Sequence, residues 1–324
     1  MTPAPPVGLL IGSHIPPAEI GPLSTLAEEA GFGEIWLPED LWYTSGIVCA
    51  GAALAATRTI PVGLGIHSAV TRHASIQALD FATLSHVYPG RFWPGIGLGL
   101  PSWLDQMGLR PKSGIRAVGE TVRNVRRLLA GETVSDKGTH LLDDIRLAYP
   151  LDTVPPLYIG AVGPQSIRQT GRIADGLVVS VTAGTAYTSW ARQLLDEGAA
   201  EAGRPRPRMV TFALFCVDDD PVAARAALRP TVGFYLTAMQ GTDLVRVYGI
   251  EDELAAMTGD VGENLPEQWL EDLTVSGTPV QCAAKIDELL AAGSDAVILF
   301  PAPVERGRAL AERAGQDVLP RVTR

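Results

Sequence analysis

Short runs of apolar residues recur along the chain, and several of them follow an amphipathic stretch that ends in small residues and glycine. Such runs are typical of parallel strands that are buried on both faces, and the glycine is typical of the position just past a helix. The pattern predicts eight strands, at residues 7–11, 35–37, 61–66, 91–96, 157–162, 177–181, 210–217 and 296–300.

Apolar stripes at helical spacing lie between these runs, and we expect each stripe to face the sheet. One consists of Ile76, Leu79, Thr83 and Val87. Another consists of Val118, Val122, Val125 and Leu129. Eight strands that alternate with helices favour an α/β fold of the closed (β/α)8 type, a TIM barrel, over an open doubly wound sheet.

Two segments depart from this alternation. Residues 131–150 contain apolar positions interrupted by polar ones, which predicts a two-stranded excursion before strand 5. Residues 240–272 are acidic with helical spacing, which predicts a helical insertion before the last β/α unit. Neither segment is long enough to form a core of its own, so we expect one domain that spans residues 1–324.

Composition narrows the functional class. The 324 residues are 46% hydrophobic and carry a net charge of −10, which supports a large core and argues against a nucleic-acid partner. The longest apolar stretches are about ten residues, too short to cross a membrane. No Lys or Arg precedes the first apolar run, so we expect no signal peptide and a cytoplasmic protein.

Metal and disulfide chemistry find little support in the sequence. Cys49, Cys216 and Cys282 are more than 60 residues apart, which matches neither a disulfide framework nor a zinc site. His14, His67 and His73 follow predicted strands but lack the spacing of a metal-binding motif. We therefore expect no metal site.

Polar residues follow the predicted strands, where the reactive groups of a barrel enzyme lie. His14 follows strand 1, Glu39 and Asp40 follow strand 2, and His67 and Arg72 follow strand 3. Because Glu39 and Asp40 are adjacent, their side chains point to different sides and do not form a matched acid/base pair.

Glycine-rich loops follow strands 4 and 5. Gly97, Leu98 and Gly99 leave backbone that a ring or a phosphate can approach closely, although the six-position dinucleotide fingerprint is absent. After strand 5, Gly163 precedes a proline at the first helical position, which leaves the next two N–H groups available to an anion. This loop consists of Ala161, Val162, Gly163, Pro164, Gln165 and Ser166.

Together, six motifs spread over about residues 7–300 resemble the bacterial luciferase-like superfamily. They are Ala27-Glu-Glu-Ala-Gly-Phe-Gly-Glu-Ile-Trp-Leu-Pro-Glu-Asp-Leu41, Val70-Thr-Arg-His73, Gly90-Arg-Phe-Trp-Pro-Gly-Ile-Gly-Leu-Gly99, Gly160-Ala-Val-Gly-Pro164, Gly171-Arg-Ile-Ala-Asp-Gly176 and Gly277-Thr-Pro-Val280. The combination is similar to the branch that uses the deazaflavin coenzyme F420, which includes methylene-tetrahydromethanopterin reductases and F420-dependent glucose-6-phosphate and alcohol dehydrogenases.

The resemblance implies a barrel with an insertion near strand 7, a cofactor across its C-terminal mouth, and often a homodimer. It implies that the loop at residues 161–166 holds the cofactor phosphate, aided by Gly97 and Gly99. It also implies a cis peptide bond between Gly65 and Ile66 that presses a bulge against the deazaflavin ring.

The sequence also departs from this branch. Sugar-phosphate and alcohol dehydrogenases of the branch carry an Asp-His pair after strand 2, a Trp four residues beyond the His, and a Glu after the strand 4 glycines. The corresponding places here hold Glu39 and Asp40, then Thr44, then Leu100, which disfavours those substrates. His14, Asp40 and His67 remain the candidate catalytic groups.

The resemblance thus implies an oxidoreductase that transfers hydride between C5 of F420 and a small organic substrate. Two alternatives stay open, namely an FMN-dependent monooxygenase supplied by a separate flavin reductase, and a catalytically inert flavin-binding relative. Only F420 carries a polyglutamyl lactyl-phosphate tail, which calls for a basic groove at the mouth of the barrel. Its candidate residues are Arg72, Arg110, Lys112 and Arg116.

Overall fold

The structure, a computed structural model, describes residues 5–323. The first four residues, which form part of the segment examined for a signal peptide, lie outside the described residues. The strands are β1 (Val7–Leu10), β2 (Glu34–Leu37), β3 (Val62–Leu64), β4 (His67–Ser68), β5 (Phe92–Trp93), β6 (Gly95–Gly97), β7 (Val134–Lys137), β8 (Leu141–Ile145), β9 (Tyr158–Gly160), β10 (Gly176–Val179), β11 (Arg208–Val217), β12 (Val275–Gly277) and β13 (Ala296–Pro301).

Helices occupy most of the chain between the strands. The α-helices are α1 (Ile20–Glu29), α2 (Gly46–Ala56), α3 (Ala74–Val87), α4 (Pro101–Met107), α5 (Gly114–Leu129), α6 (Pro164–Ile173), α7 (Thr185–Glu201), α8 (Pro221–Ala238), α9 (Asp243–Arg246), α10 (Glu251–Ala256), α11 (Val261–Asn264), α12 (Glu267–Leu273), α13 (Pro279–Ala291) and α14 (Gly307–Arg313).

One parallel sheet curls round on itself. Its hydrogen-bonded order is β4-β6-β9-β10-β11-β13-β1-β2-β3-β5, and β12 pairs with β11. Only two residues separate β3 from β4, and only Pro94 separates β5 from β6. The strand β4 at one end of the order therefore continues from β3 near the other end, and β5 at that other end leads directly into β6. Each of the eight predicted runs contains a strand of this sheet, which confirms the predicted α/β class, whereas the short strands β4 and β12 were not predicted.

Two stretches stand apart from the regular alternation. β7 and β8 form a separate antiparallel pair between α5 and β9. Between β11 and β12 the chain forms five helices, α8 to α12. No helix among residues 5–323 is both long enough and apolar enough to cross a membrane.

The predicted orientation of α3, with its apolar stripe facing the sheet, was wrong. Ile76, Leu79 and Val87 are 45%, 51% and 59% exposed, so the apolar stripe faces away from the sheet. The buried face of α3 instead consists of Ala74, Gln77, Ala78, Phe81 and Ala82. Small alanine side chains let the helix approach the sheet closely, which the larger residues of the stripe would prevent. The stripe of α5 is buried, as predicted.

A buried ion pair joins the N-terminal ends of two strands. Arg208, the first residue of β11, donates to both carboxylate oxygens of Glu34, the first residue of β2, at 2.9 and 2.7 Å. Trp36 Nε1 donates to the same carboxylate at 3.1 Å, and Arg208 also donates to the Tyr158 hydroxyl at 3.2 Å. The guanidinium lies 5.1 Å from the centre of the Trp93 ring. The Glu34 carboxylate, which is buried, therefore accepts hydrogen bonds from both Arg208 and Trp36.

We expect Arg208→Ala to lower the free energy of unfolding by about 3–5 kcal/mol, because it leaves the Glu34 carboxylate buried without its cation. The matched control is Arg206→Ala, which removes an arginine from an exposed ion pair with Asp295 and should cost less than about 1 kcal/mol. Urea unfolding of both variants at neutral pH measures the difference, and equal losses would show that the buried pair contributes no more than the surface pair.

Candidate active site

The carboxyl ends of the parallel strands meet at one edge of the curled sheet, here called the mouth. At the end of β3 the peptide bond between Gly65 and Ile66 is cis, as the resemblance implied. The Ile66 side chain fills space beside two strand glycines. A Cβ on Gly97 would lie 2.7 Å from Ile66 Cδ1, and a Cβ on Gly160 would lie 2.8 Å from Ile66 Cγ2. The missing side chain of Gly97 therefore makes room for Ile66 as well as for any ligand.

The loop after β6 is tied to β4. Ser68 Oγ donates to the Leu98 carbonyl at 2.7 Å, and Gly99 has a φ of +85°, a left-handed conformation that favours glycine. These contacts fix the backbone of Leu98 and Gly99 at the mouth, next to Ile66 and Gly97.

The 161–166 loop carries the start of α6. Gly163 N–H donates to Ser166 Oγ at 3.3 Å, and the Ser166 hydroxyl donates to the Gly163 carbonyl at 2.8 Å. Tyr187 Oη donates to the Val162 carbonyl at 2.7 Å and braces the loop from α7. Together these bonds hold the backbone of the loop in one conformation.

Two N–H groups in the first turn of α6 form no hydrogen bond within the described part of the chain. Within residues 5–323, the N–H groups of Gln165 and Ser166 donate to no hydrogen-bond acceptor. A Cβ on Gly163 would meet only Asp243 Oδ2 at 3.5 Å and Ser166 Oγ at 3.8 Å, so no backbone atom closes off this side of the loop. Two free N–H groups and the positive end of a ten-residue helix attract an anion. We call this site, formed by Gly163 and the N–H groups of Gln165 and Ser166, the cradle, and a phosphate fits it.

A second group of polar residues lies at the ends of β1 and β2. Ser13 Oγ donates to Asp40 Oδ2, which ties the two strand ends together. His14 is exposed, and its ring centre lies 4.8 Å from that of Tyr43. The structure thus brings the predicted candidates His14 and Asp40 to neighbouring positions at the mouth.

His67 has a different setting. Its Nδ1 lies 2.5 Å from Glu39 Oε1, its ring packs 6.4 Å from that of Phe81 on α3, and only 2% of the residue is exposed. Burial alone would raise the pKa of the Glu39 carboxyl, but the hydrogen bond and the charge of His67, with the Gly46 N–H, hold it below its ordinary value. The pair therefore links β2 and β4 on the side that faces the helices.

Sequence reasoning missed Tyr235, which comes to the mouth from α8. The phenol is mostly buried, and its pKa is raised by burial first and then by the nearby charges of Asp40 and Tyr43. Its ring centre lies 6.5 Å from that of Phe300, and Phe300 contacts Gly12 at the end of β1. No local pattern distinguishes this tyrosine from one that merely packs a helix, so the sequence offered no signal.

The predicted basic groove is mostly neutralised. Arg72 is paired with Asp80, Arg110 with Asp105, and Arg116 with Glu120. Lys112 is exposed and forms no ion pair with any residue that the structure describes. Of the four predicted cations, Lys112 is the one whose charge is not already matched by an acid.

Comparison with known proteins places this geometry in a family. The family model described as luciferase-like monooxygenase matches residues 3–296. A 5,10-methylenetetrahydromethanopterin reductase of Methanolobus tindarius is 27% identical over 302 residues, which cover 87% of this chain and 90% of the relative. An F420-dependent glucose-6-phosphate dehydrogenase of Nakamurella multipartita is 30% identical, with 94% of this chain and 93% of the relative covered.

A solved structure agrees in fold as well as in sequence. The coenzyme F420-dependent tetrahydromethanopterin reductase of Methanopyrus kandleri superposes with a TM-score of 0.85 at 26% identity and covers 98% of this chain and 99% of its own. The curled parallel sheet thus matches the TIM barrel of luciferase-like proteins. The resemblance found in the sequence motifs is confirmed, and the chain belongs to the luciferase-like monooxygenase family.

Proposed function

We propose that the protein is an F420-dependent oxidoreductase that transfers hydride between the coenzyme and a small organic substrate. The observation that carries the proposal is the cradle at the start of α6, where the N–H groups of Gln165 and Ser166 donate to no acceptor among residues 5–323. The cofactor is assigned by likeness, because relatives that cover almost the whole chain are F420-dependent enzymes.

The chain's own residues take distinct parts in this proposal. The 161–166 loop binds the phosphate, and Gly65, Ile66, Gly97 and the backbone of Leu98 and Gly99 support the ring system. F420 supplies the hydride chemistry when it is bound. Ser13 orients the Asp40 carboxylate, and Asp40 and His14 lie where they can hold or move the proton that accompanies the hydride. His67, which is buried against Glu39, positions the end of β4.

The substrate differs from that of the sugar-phosphate relatives in this proposal. At the place of their histidine stands Asp40, which is engaged by Ser13, and Leu100 stands where they carry a glutamate. Neither place offers their base and acid, so we propose no oxidation of glucose 6-phosphate. Incubation with F420 and glucose 6-phosphate tests this point, and steady reduction of the coenzyme would contradict it.

The proposal also covers two segments that interrupt the regular alternation of strands and helices. We regard the β7–β8 pair as an excursion from a single barrel domain, and residues 240–272 as a helical insertion before its last β/α unit. A cytoplasmic location stays a prediction.

A homodimer also stays a prediction, and the outward apolar face of α3 supports it. Leu79 and Val87 border a groove of about 370 Å³ that also contacts Tyr149, which is 79% exposed. Exposed apolar faces of this kind commonly mark contacts between proteins. Sedimentation of the purified chain measures its mass in solution, and a monomer at all concentrations would contradict the prediction.

Titration of the purified protein with F420 and with FMN, followed by ligand fluorescence, tests the cofactor assignment. We expect F420 to bind more tightly. Tighter binding of FMN, with turnover only when a flavin reductase is added, would favour the monooxygenase alternative. Binding without turnover of any substrate would favour the inert relative.

Gly163→Val should weaken F420 binding at least tenfold, because its branched side chain would fill the cradle beside the free N–H groups. The fold should tolerate the change, since φ is −102° at Gly163 and the nearest atom to a Cβ there, Asp243 Oδ2, is at an ordinary van der Waals distance of 3.5 Å. Gly307→Val is the matched control, because a Cβ on Gly307 would meet no atom within 4 Å and Gly307 lies at the start of α14. Equal F420 affinity in both variants would contradict the role of the loop.

Of the predicted cofactor contacts Arg72, Lys112 and Arg116, we propose Lys112 as the main contact of the coenzyme tail, because Arg72 and Arg116 are already paired with Asp80 and Glu120. Lys112→Ala should weaken binding of polyglutamylated F420 severalfold and leave a tail-less precursor unaffected, because only the tail carries the carboxylates. Arg110→Ala is the control, since Arg110 is already paired with Asp105. Equal weakening of both ligands by Lys112→Ala would argue against a tail contact.

His14→Asn should lower the rate of hydride transfer about tenfold or more, because the amide cannot supply the proton that we assign to His14. The measurement is single-turnover oxidation of reduced F420 with 5,10-methylenetetrahydromethanopterin across pH. His86→Asn, which changes a histidine on the outer face of α3, is the control. If His14→Asn keeps the wild-type rate at every pH, the proposed role of His14 is wrong and Asp40 becomes the proton donor to test.

A further inference from the structure

A carboxylate lies beside the cradle at the start of α6. Asp243, the first residue of α9, places Oδ2 3.5 Å from the position that a Cβ on Gly163 would occupy. Its charge also reaches Tyr187, the residue that braces the loop, whose pKa is raised by burial first and then by Asp243. Asp243 therefore lies beside Gly163, the residue that precedes the helix start with the free N–H groups of Gln165 and Ser166.

This carboxylate has no cationic partner in the part of the chain that the structure describes. Among residues 5–323, Asp243 takes part in no ion pair, although 24 such contacts are present elsewhere. The neighbouring Arg246 is directed to Glu251 at 3.4 Å, and the group on α7 that feels the charge of Asp243 is the phenol of Tyr187. An anion in the cradle therefore meets an attractive helix terminus on one side and an uncompensated negative charge on the other.

The net effect depends on how many charges the ligand carries. The helix terminus acts as roughly half a positive charge, and each negative charge on the ligand is repelled by Asp243 in proportion. A phosphodiester carries one negative charge at neutral pH. A phosphomonoester carries nearly two, because its second pKa is about 6.

We propose that Asp243 is a specificity residue that makes the cradle favour a singly charged phosphodiester, such as that of F420, over a doubly charged phosphomonoester, such as that of FMN. The inference rests on the proposed function for the position of the phosphate. It identifies a residue of this chain by which the protein distinguishes two cofactors with similar ring systems.

Asp243→Asn tests the proposal, with dissociation constants measured at pH 7.5 for F420, FMN and riboflavin, which has no phosphate. If each ligand charge contributes about a threefold penalty, as expected for partly screened charges at this range, the variant binds F420 roughly threefold more tightly and FMN roughly tenfold. Riboflavin affinity stays unchanged. Asp252→Asn removes an exposed carboxylate from α10 and is the matched control, with no change for any ligand.

A second arm varies the charge on the ligand. At pH 5.5 most FMN carries a singly charged phosphate, so the gain of Asp243→Asn for FMN should fall to about that for F420. Equal gains for FMN and F420 at pH 7.5, no gain for FMN, or a loss of affinity for all three ligands would each overturn the proposal. If FMN gains as expected but F420 binds to neither protein, the proposed cofactor is wrong while the role of Asp243 stands.

Discussion

The bidentate pair between Arg208 and Glu34 is the contact on which the closed arrangement of the strands most depends. It joins the first residues of β2 and β11, which are far apart in the chain, and it is surrounded by the rings of Trp36, Trp93 and Tyr158. A charge buried there without its partner would cost more than most packing defects. The pair therefore favours one relative placement of the strands, with the opposite edge of the sheet left free for ligand contacts.

The two ends of the sheet differ in how their polar groups are paired. Around Arg208 the guanidinium, the Glu34 carboxylate, Trp36 Nε1 and the Tyr158 hydroxyl are hydrogen-bonded together. At the mouth, among residues 5–323, the N–H groups of Gln165 and Ser166 have no acceptor, and Asp243 forms no ion pair. Free N–H groups at a helix start are available to an anion, which supports the proposal that this edge is the ligand site.

Much of the fold could be predicted because its signals are local. A parallel strand is a continuous apolar run, and the Gly163-Pro164 step marks the start of α6 without reference to any other residue. The cis bond at Gly65 required the family resemblance, since nothing in the local residues distinguishes it. The outward direction of the α3 stripe could not be read from spacing, because spacing shows that a helix has an apolar face but does not show which neighbour covers it.

The site could be predicted only in part, because several of its contacts join segments that are far apart in the chain. Glu34 and Arg208 are 174 residues apart in the chain, and Asp40 meets Tyr235 only because α8 returns to the mouth. Charges in the predicted basic groove were counted correctly, but the acids that pair with Arg72, Arg110 and Arg116 could be identified only in three dimensions. Sequence reasoning thus located the loops of the site and missed the partners that alter their charge.

One stretch of chain between β11 and β12 touches both ends of the mouth. Tyr235 on α8 lies near Asp40 at one end, and Asp243 on α9 lies beside Gly163 at the other. The strands of the barrel are not interrupted by this stretch, so it can diverge while the scaffold is conserved. Exchange of this stretch between family members would therefore change the surroundings of Asp40 and of Gly163 together, which under the roles proposed for these residues alters the proton-transfer side and the phosphate side of the site in one step.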